Sequence, residues 1–143
     1  MTELPVSRPF AWEIAVTDAD IDAQGHVGNV TIVDWMSRAA WAHSRSLGWG
    51  LDDYQRLGGW FVVRRHEVDY HAAAYSGDQL VCYTWPSGLN KATAERCHRI
   101  VRPLDGGLIA EGRNTWAYLD RDSGRPVRIP AELRQAFDPA RFI

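Results

Sequence analysis

Cysteine is scarce in this chain: only Cys82 and Cys97 occur, without C-x-x-C spacing, so no disulfide framework or paired-thiol zinc site is expected to organise it. Both fall in strand-like stretches, where a buried free thiol is the usual state. A large excess of charge of one sign is also missing. The formal net charge of -2 gives no general attraction to nucleic acid or to an anionic membrane, so neither is an expected partner, and an anionic ligand needs a local cluster of cations. No apolar run approaches the ~20 residues of a membrane span. The opening Met1-Thr2-Glu3-Leu4-Pro5 has no charged leader followed by an apolar stretch, so the expected location is the cytoplasm. A G-x-S-x-G elbow, a Gly-rich phosphate loop and a Cys/His nucleophile pattern are all lacking, which removes support from serine, cysteine and nucleotide chemistry.

What is present is apolar and aromatic. With 143 residues, 45% of them hydrophobic, and seven Trp, five Tyr and four Phe, the chain can bury one substantial core, and a single domain over residues 1–143 is expected. Alternation around Phe10, Trp12, Ile14 and Val16 predicts a strand over 9–17. A polar loop rich in Asp and Gly follows to Asn29. From Val30 the period changes. Ile32, Met36, Ala39, Ala40, His43 and Leu47 recur at three- and four-residue spacing, predicting one dominant helix with Asn29 as its N-cap and Gly48 and Gly50 at its far end. Further strands are predicted near 59–70, 78–86, 92–102 and 108–120, the last two joined across Asp105-Gly106-Gly107. A short helix starting at Pro130 closes the chain. The expected class is α+β, an antiparallel sheet packed on a central helix. Exposed sheet edges argue for a homodimer or a homotetramer.

The loop before the helix carries the candidate chemistry. Asp18, Asp20 and Asp22 have a calcium-loop spacing, but Ala23 stands where that loop needs Gly and Asn29 where it needs Glu, so no calcium site is expected. His66 and His71 point to opposite faces of a strand and cannot share a metal. His43 lies on the apolar helix stripe and reads as a hydrogen-bonded core residue, whereas His26 sits in the loop itself. The position of the loop matters more than its composition: free backbone N–H groups at a helix start, next to a carboxylate and two glycines that admit a substrate, form the two halves of an acyl-transfer site. Elsewhere, Arg64 and Arg65, and Lys91 with Arg96, Arg99 and Arg102, are cations that as a set could hold phosphates.

Asp20-Ile21-Asp22-Ala23-Gln24-Gly25-His26-Val27-Gly28-Asn29 resembles the D-x-D-x-x-G-H-V-N-N segment of hotdog-fold acyl-CoA thioesterases of the 4-hydroxybenzoyl-CoA thioesterase type. The likeness continues through Trp35 to Trp49, Val62 to Tyr70, Gly77-Asp78, and Thr115 to Pro130. It implies the hotdog fold, in which an antiparallel sheet wraps a long central helix, and hydrolysis of an acyl-CoA substrate without a cofactor or a metal. Asp22 maps onto the family's catalytic carboxylate, acting as base or nucleophile. Asn29 or a neighbour maps onto the helix-start N–H that polarises the thioester carbonyl. Gly25, His26 and Val27 are expected to line the substrate groove, with Arg64, Arg65 and Lys91 toward the nucleotide phosphates. This chain departs from the pattern in having Gly28-Asn29 for Asn-Asn and Ile32 for a Tyr. Two rival readings are an acyl-carrier-protein thioesterase and a non-catalytic acyl-CoA-binding module.

Overall fold

The computed structural model describes residues 3–143. Five antiparallel strands form one sheet in the order β1-β3-β4-β5-β2. These are β1 (Phe10–Ala15), β2 (Gly59–Tyr70), β3 (Gln79–Leu89), β4 (Thr93–Arg102) and β5 (Gly107–Asp120), and the helices are α1 (Asn29–Ser46), α2 (Leu51–Leu57) and α3 (Ala131–Ala136). The sheet is α1's packing surface because the helix is amphipathic at the right period. Ile32, Trp35, Met36, Ala39, Ala40, His43 and Ser44 are all buried, one stripe at three- and four-residue spacing.

Gly112 on β5 sets how closely the helix and sheet approach. A Cβ there would lie 2.7 Å from Met36 Sδ, inside contact distance, and 3.4 Å from the Glu67 carbonyl, at ordinary contact. Glycine thus lets the fully buried Met36 side chain lie directly on the strand, and a larger residue would require that side chain to shift. Around this contact Ile14, Val16, Trp35, Leu80, Ile100 and Ala110 form one apolar cluster, and a second gathers Tyr54, Tyr118, Ile129, Leu133 and Phe137 at the other end of the sheet.

Several elements differ from the sequence expectation for local reasons. The N-cap of α1 is Gly28, and Asn29 is the first helical residue. β1 ends at Ala15, since the chain turns through a 3-10 turn at Asp18–Asp20 that the Asp20 carboxylate pins by accepting from the Thr17 N–H at 2.9 Å. β3 runs past Pro86 to Leu89, and the register shift between Pro86 and Gly88 accommodates the proline. α2 was not expected. It is seven residues long with only Tyr54 buried, too little for an apolar period to register. Gly58, at φ +87, ends it in a left-handed conformation. Of the two thiols, Cys82 is buried but Cys97 only half-buried, because strand alternation turns Cys97 to the face away from α1. Burial pushes the Cys82 thiol up to about 12, which makes it unreactive.

Candidate active site

The loop between β1 and α1 gives each of its three aspartates a different role. Asp18 accepts from the Ser76 hydroxyl, and Asp20 caps the 3-10 turn. Asp22 Oδ1 accepts from the Gln24 N–H at 2.8 Å, forming an Asx turn, while the Gly25 N–H bonds back to the Asp22 carbonyl and the Asp22 N–H to the His26 carbonyl. Gly25 makes this possible with φ +86, a conformation that side chains disfavour. The turn is tied down by the Val27 N–H, which donates to the Ala74 carbonyl at 2.9 Å.

This geometry carries Asp22 Oδ2 to the start of α1. A Cβ on Gly28 would sit 3.6 Å from Asp22 Oδ2 and 3.9 Å from the Thr31 hydroxyl, so the carboxylate and the helix entry are in van der Waals reach. No side chain caps the helix, and the first intrahelical bond is the Ile32 N–H to the Gly28 carbonyl. The N–H groups of Asn29, Val30 and Thr31 therefore have no partner inside the helix. They also stand at the positive end of its dipole. Such a place suits an oxygen that gains negative charge during a reaction.

Asp22, His26, Val27 and Asn29 line one cleft of about 370 Å³ together with Tyr70 and His71 from the end of β2. Gly25 shapes the turn behind it. Tyr70 donates from its hydroxyl to the Asn29 carbonyl at 3.1 Å, and His71 faces Glu111 at 3.2 Å. From the sequence Tyr70 is a side chain whose packing shapes the pocket, with no contact assigned, and His71 has no place in the site, since β2 is far from the loop in the chain and its end meets α1 only through the fold. Within one chain the cations lie elsewhere. Arg64 and Arg65 are exposed along β2, Arg65 in an ion pair with Glu67 at 2.6 Å, and Lys91 is exposed in the β3–β4 hairpin, where its carbonyl accepts from the Ile129 N–H. Asp22 and Asn29 are exposed as well, so in a single chain the cleft is open to water.

His43 is buried on the helix stripe, as its position implies. Its Nδ1 is 2.9 Å from Arg96 Nη1. Burial, reinforced by Arg96 and Arg141, lowers its pKa to about 3, so the ring is neutral and accepts the arginine's hydrogen.

Residues 16–137 match the thioesterase-like superfamily, and the chain belongs to that family of thioester hydrolases. Its five-stranded antiparallel sheet with the long packed helix is the hotdog fold that the motif resemblance implies. The acyl-acyl carrier protein thioesterase ATL3 of Arabidopsis thaliana, a chloroplastic protein, is 26% identical over 125 residues, 87% of this chain and 65% of the plant protein. The acyl-CoA thioesterase YbgC of Haemophilus influenzae is 28% identical over 131 residues, 90% of this chain and 93% of that protein. Among solved structures, a 1,4-dihydroxy-2-naphthoyl-CoA thioesterase from Synechocystis superposes with a TM-score of 0.85 at 17% identity, covering 94% of this chain and 99% of its own. At that identity the likeness is one of fold.

Proposed function

We propose that the protein hydrolyses acyl-CoA thioesters to CoA and a free carboxylic acid, with Asp22 as nucleophile or general base and an N–H of the first turn of α1, that of Asn29 foremost, polarising the thioester carbonyl. The observation that carries this reading is the approach of Asp22 Oδ2 to the uncapped start of α1, in a chain of the thioesterase-like superfamily. A thioester laid in the cleft would have its carbonyl oxygen toward the N–H groups and its carbon toward the carboxylate. Attack by Asp22 expels the CoA thiolate and leaves an anhydride that water opens. As a base, Asp22 instead takes a proton from the attacking water. Both routes need the charge on Asp22 and leave the fold as it is.

The open cleft is a reason to expect two copies. β2 is an edge strand whose residues from Val62 to Glu67 are all exposed, an arrangement that pairing with a second β2 would resolve. Antiparallel pairing about a two-fold axis sets the Tyr70 end of one strand beside the Gly59 end of the other. It would cover the cleft and bring Arg64 and Arg65 toward the neighbouring site, where they would hold the nucleotide phosphates.

Asp22→Asn keeps the shape and the Asx turn but removes charge and basicity. Turnover of a panel of aliphatic and aromatic acyl-CoAs should fall by at least ~10²-fold, with the circular dichroism spectrum unchanged. Asp20→Asn weakens the 3-10 turn and should lower the melting temperature while turnover stays within a few-fold. Near-normal turnover in Asp22→Asn would remove Asp22 from the mechanism. Arg64→Ala and Arg65→Ala should raise KM more than they lower kcat, an effect that fades at high salt. Unchanged KM in both would favour a carrier-protein substrate.

A further inference from the structure

A second cavity, of about 50 Å³, opens between the C-terminal half of α1 and the sheet. It is separate from the Asp22 cleft, because Ala40 and Ser44, which line it, stand eleven and fifteen residues along the helix from Asn29, or roughly 17–22 Å at the helical rise. Half-buried Trp41, Phe61 and Trp116 and buried Tyr54 and Phe137 make its walls aromatic, and Arg96 is among them.

Arg96 is out of place in such surroundings. Its residue is only 7% exposed, and its guanidinium has no carboxylate within ion-pair distance among the described residues. Nη1 donates to Thr84 Oγ1 at 3.1 Å and to His43 Nδ1 at 2.9 Å, both neutral acceptors. The Phe137 ring, 5.8 Å from Cζ, adds a cation–π contact. Those bonds use two of the five N–H groups, and no bond to a described residue is made by Nε or Nη2. The remaining charged lining residue, Glu95, alternates to the other face of β4, where it accepts from the Ser87 hydroxyl at 2.8 Å. Burial lowers the Arg96 pKa only to about 10, so the group stays cationic at neutral pH. Among the described residues His98 Nδ1 alone is a fully buried side-chain nitrogen or oxygen without a partner, so Nε and Nη2 of Arg96 reach accessible space. An acceptor of opposite charge in the cavity that Arg96 lines would complete the bonding of the guanidinium.

We infer that this cavity is a binding site for a small carboxylate with an apolar body, the carboxylate taking the Nε–Nη2 edge of Arg96 and the body packing among Trp41, Phe61 and Phe137. An arginine edge matches a carboxylate with two parallel bonds. The space of about 50 Å³ exceeds the ~10–15 Å³ that one water requires but is about a third of the ~150 Å³ that takes benzene. The carboxylate therefore occupies the cavity, and the apolar body extends into its open mouth beside half-buried Trp41 and Phe61. The site stands independently of the thioesterase reading, since nothing in it depends on Asp22.

Tryptophan fluorescence of the intact protein tests this, because Trp41 and Trp116 line the cavity. Phenylacetate and hexanoate should change the emission saturably, and their neutral amides should bind at least ~10-fold more weakly, the ratio a charge-assisted bond supplies. Arg96→Gln should abolish the preference for the acid. Ala94→Leu, which fills the cavity and leaves Arg96 in place, should abolish binding of either acid. If Arg96→Gln does not fold, the acid-over-amide ratio and the Ala94→Leu variant decide. Equal binding of acid and amide, no saturable binding of the acids, or undiminished acid binding in Ala94→Leu would each overturn the inference and leave water as the partner of Arg96.

Discussion

Asp22 and His98 differ in how far the fold takes them out of water. Asp22 remains exposed at the cleft mouth, whereas His98 on β4 is 1% exposed, is held through Nε2 by Asn114 at 3.0 Å and leaves Nδ1 without a partner among the described residues. Burial, then the charge of Arg96, lowers the His98 pKa to about 3 from an ordinary 6.5, and His43 moves the same way. In the unfolded chain both histidines take up a proton near 6.5, and in the folded protein neither does until about 3. The unfolded state therefore binds more protons throughout that window, and stability falls as the pH drops through it. Urea unfolding at about pH 7 and about pH 5 should differ by roughly 2 kcal/mol for each buried histidine, over and above the loss from carboxylates. A His98→Gln variant should show a shallower slope, and an unchanged slope would mean that His98 takes up its proton alike in the folded and unfolded states. At this scale the motif pointed to Asp22 and Asn29, which the fold brings to one cleft, and the helix period made buried His43 legible. It could not reveal that Arg96 is the partner of His43, because 53 residues separate them and only the sheet brings them together.

The elements were legible where they are long and periodic. α1 spans Asn29–Ser46, and the β4–β5 hairpin turns at Asp105-Gly106-Gly107 as its composition implies. They were not legible where one buried residue or one proline decides the outcome, as in α2 and at Pro86. The N-terminus of α1 is the element with most bearing on the proposed function, since its first turn has no capping side chain and lies beside Asp22. Gly28→Ser offers a test. The backbone there, φ -68 and ψ 149, is open to any residue, and a serine oxygen would cap the first turn for a gain of a few tenths of a kcal/mol. Its Cβ would touch Asp22, 3.6 Å away, and its hydroxyl would occupy the N–H groups assigned to the thioester carbonyl. The expected outcome is a melting temperature equal to or above that of the unmodified protein, with thioester turnover reduced at least ~10-fold. Unaltered turnover in a stabilised Gly28→Ser would move the oxyanion contact away from this helix start.

On the scale of the whole molecule the two sheet edges are unequal. β1 has six residues, and β2, at the other edge, has twelve. β2 is also bent, since its register with β5 shifts between Val63 and Arg65, and it presents Val62 and Val63 at 37% exposure each. A long edge strand with adjacent exposed valines is the kind that seeks a partner, and the two arginines that follow do not prevent it while Arg65 is neutralised by Glu67. Sedimentation velocity should accordingly show a dimer or a higher even oligomer. Val62→Lys combined with Val63→Lys adds positive charge to a strand that already carries Arg64 and Arg65 and would meet a copy of itself, where like charges oppose association. The variant should sediment as a monomer that keeps its secondary structure, because both side chains are already partly in water. It should also lose most of its thioester turnover, since the Asp22 cleft then stays open to solvent and lacks the neighbouring strand. A monomeric variant with full turnover would show that one chain holds the complete site, and would place the phosphate-binding cations within the same chain as Asp22.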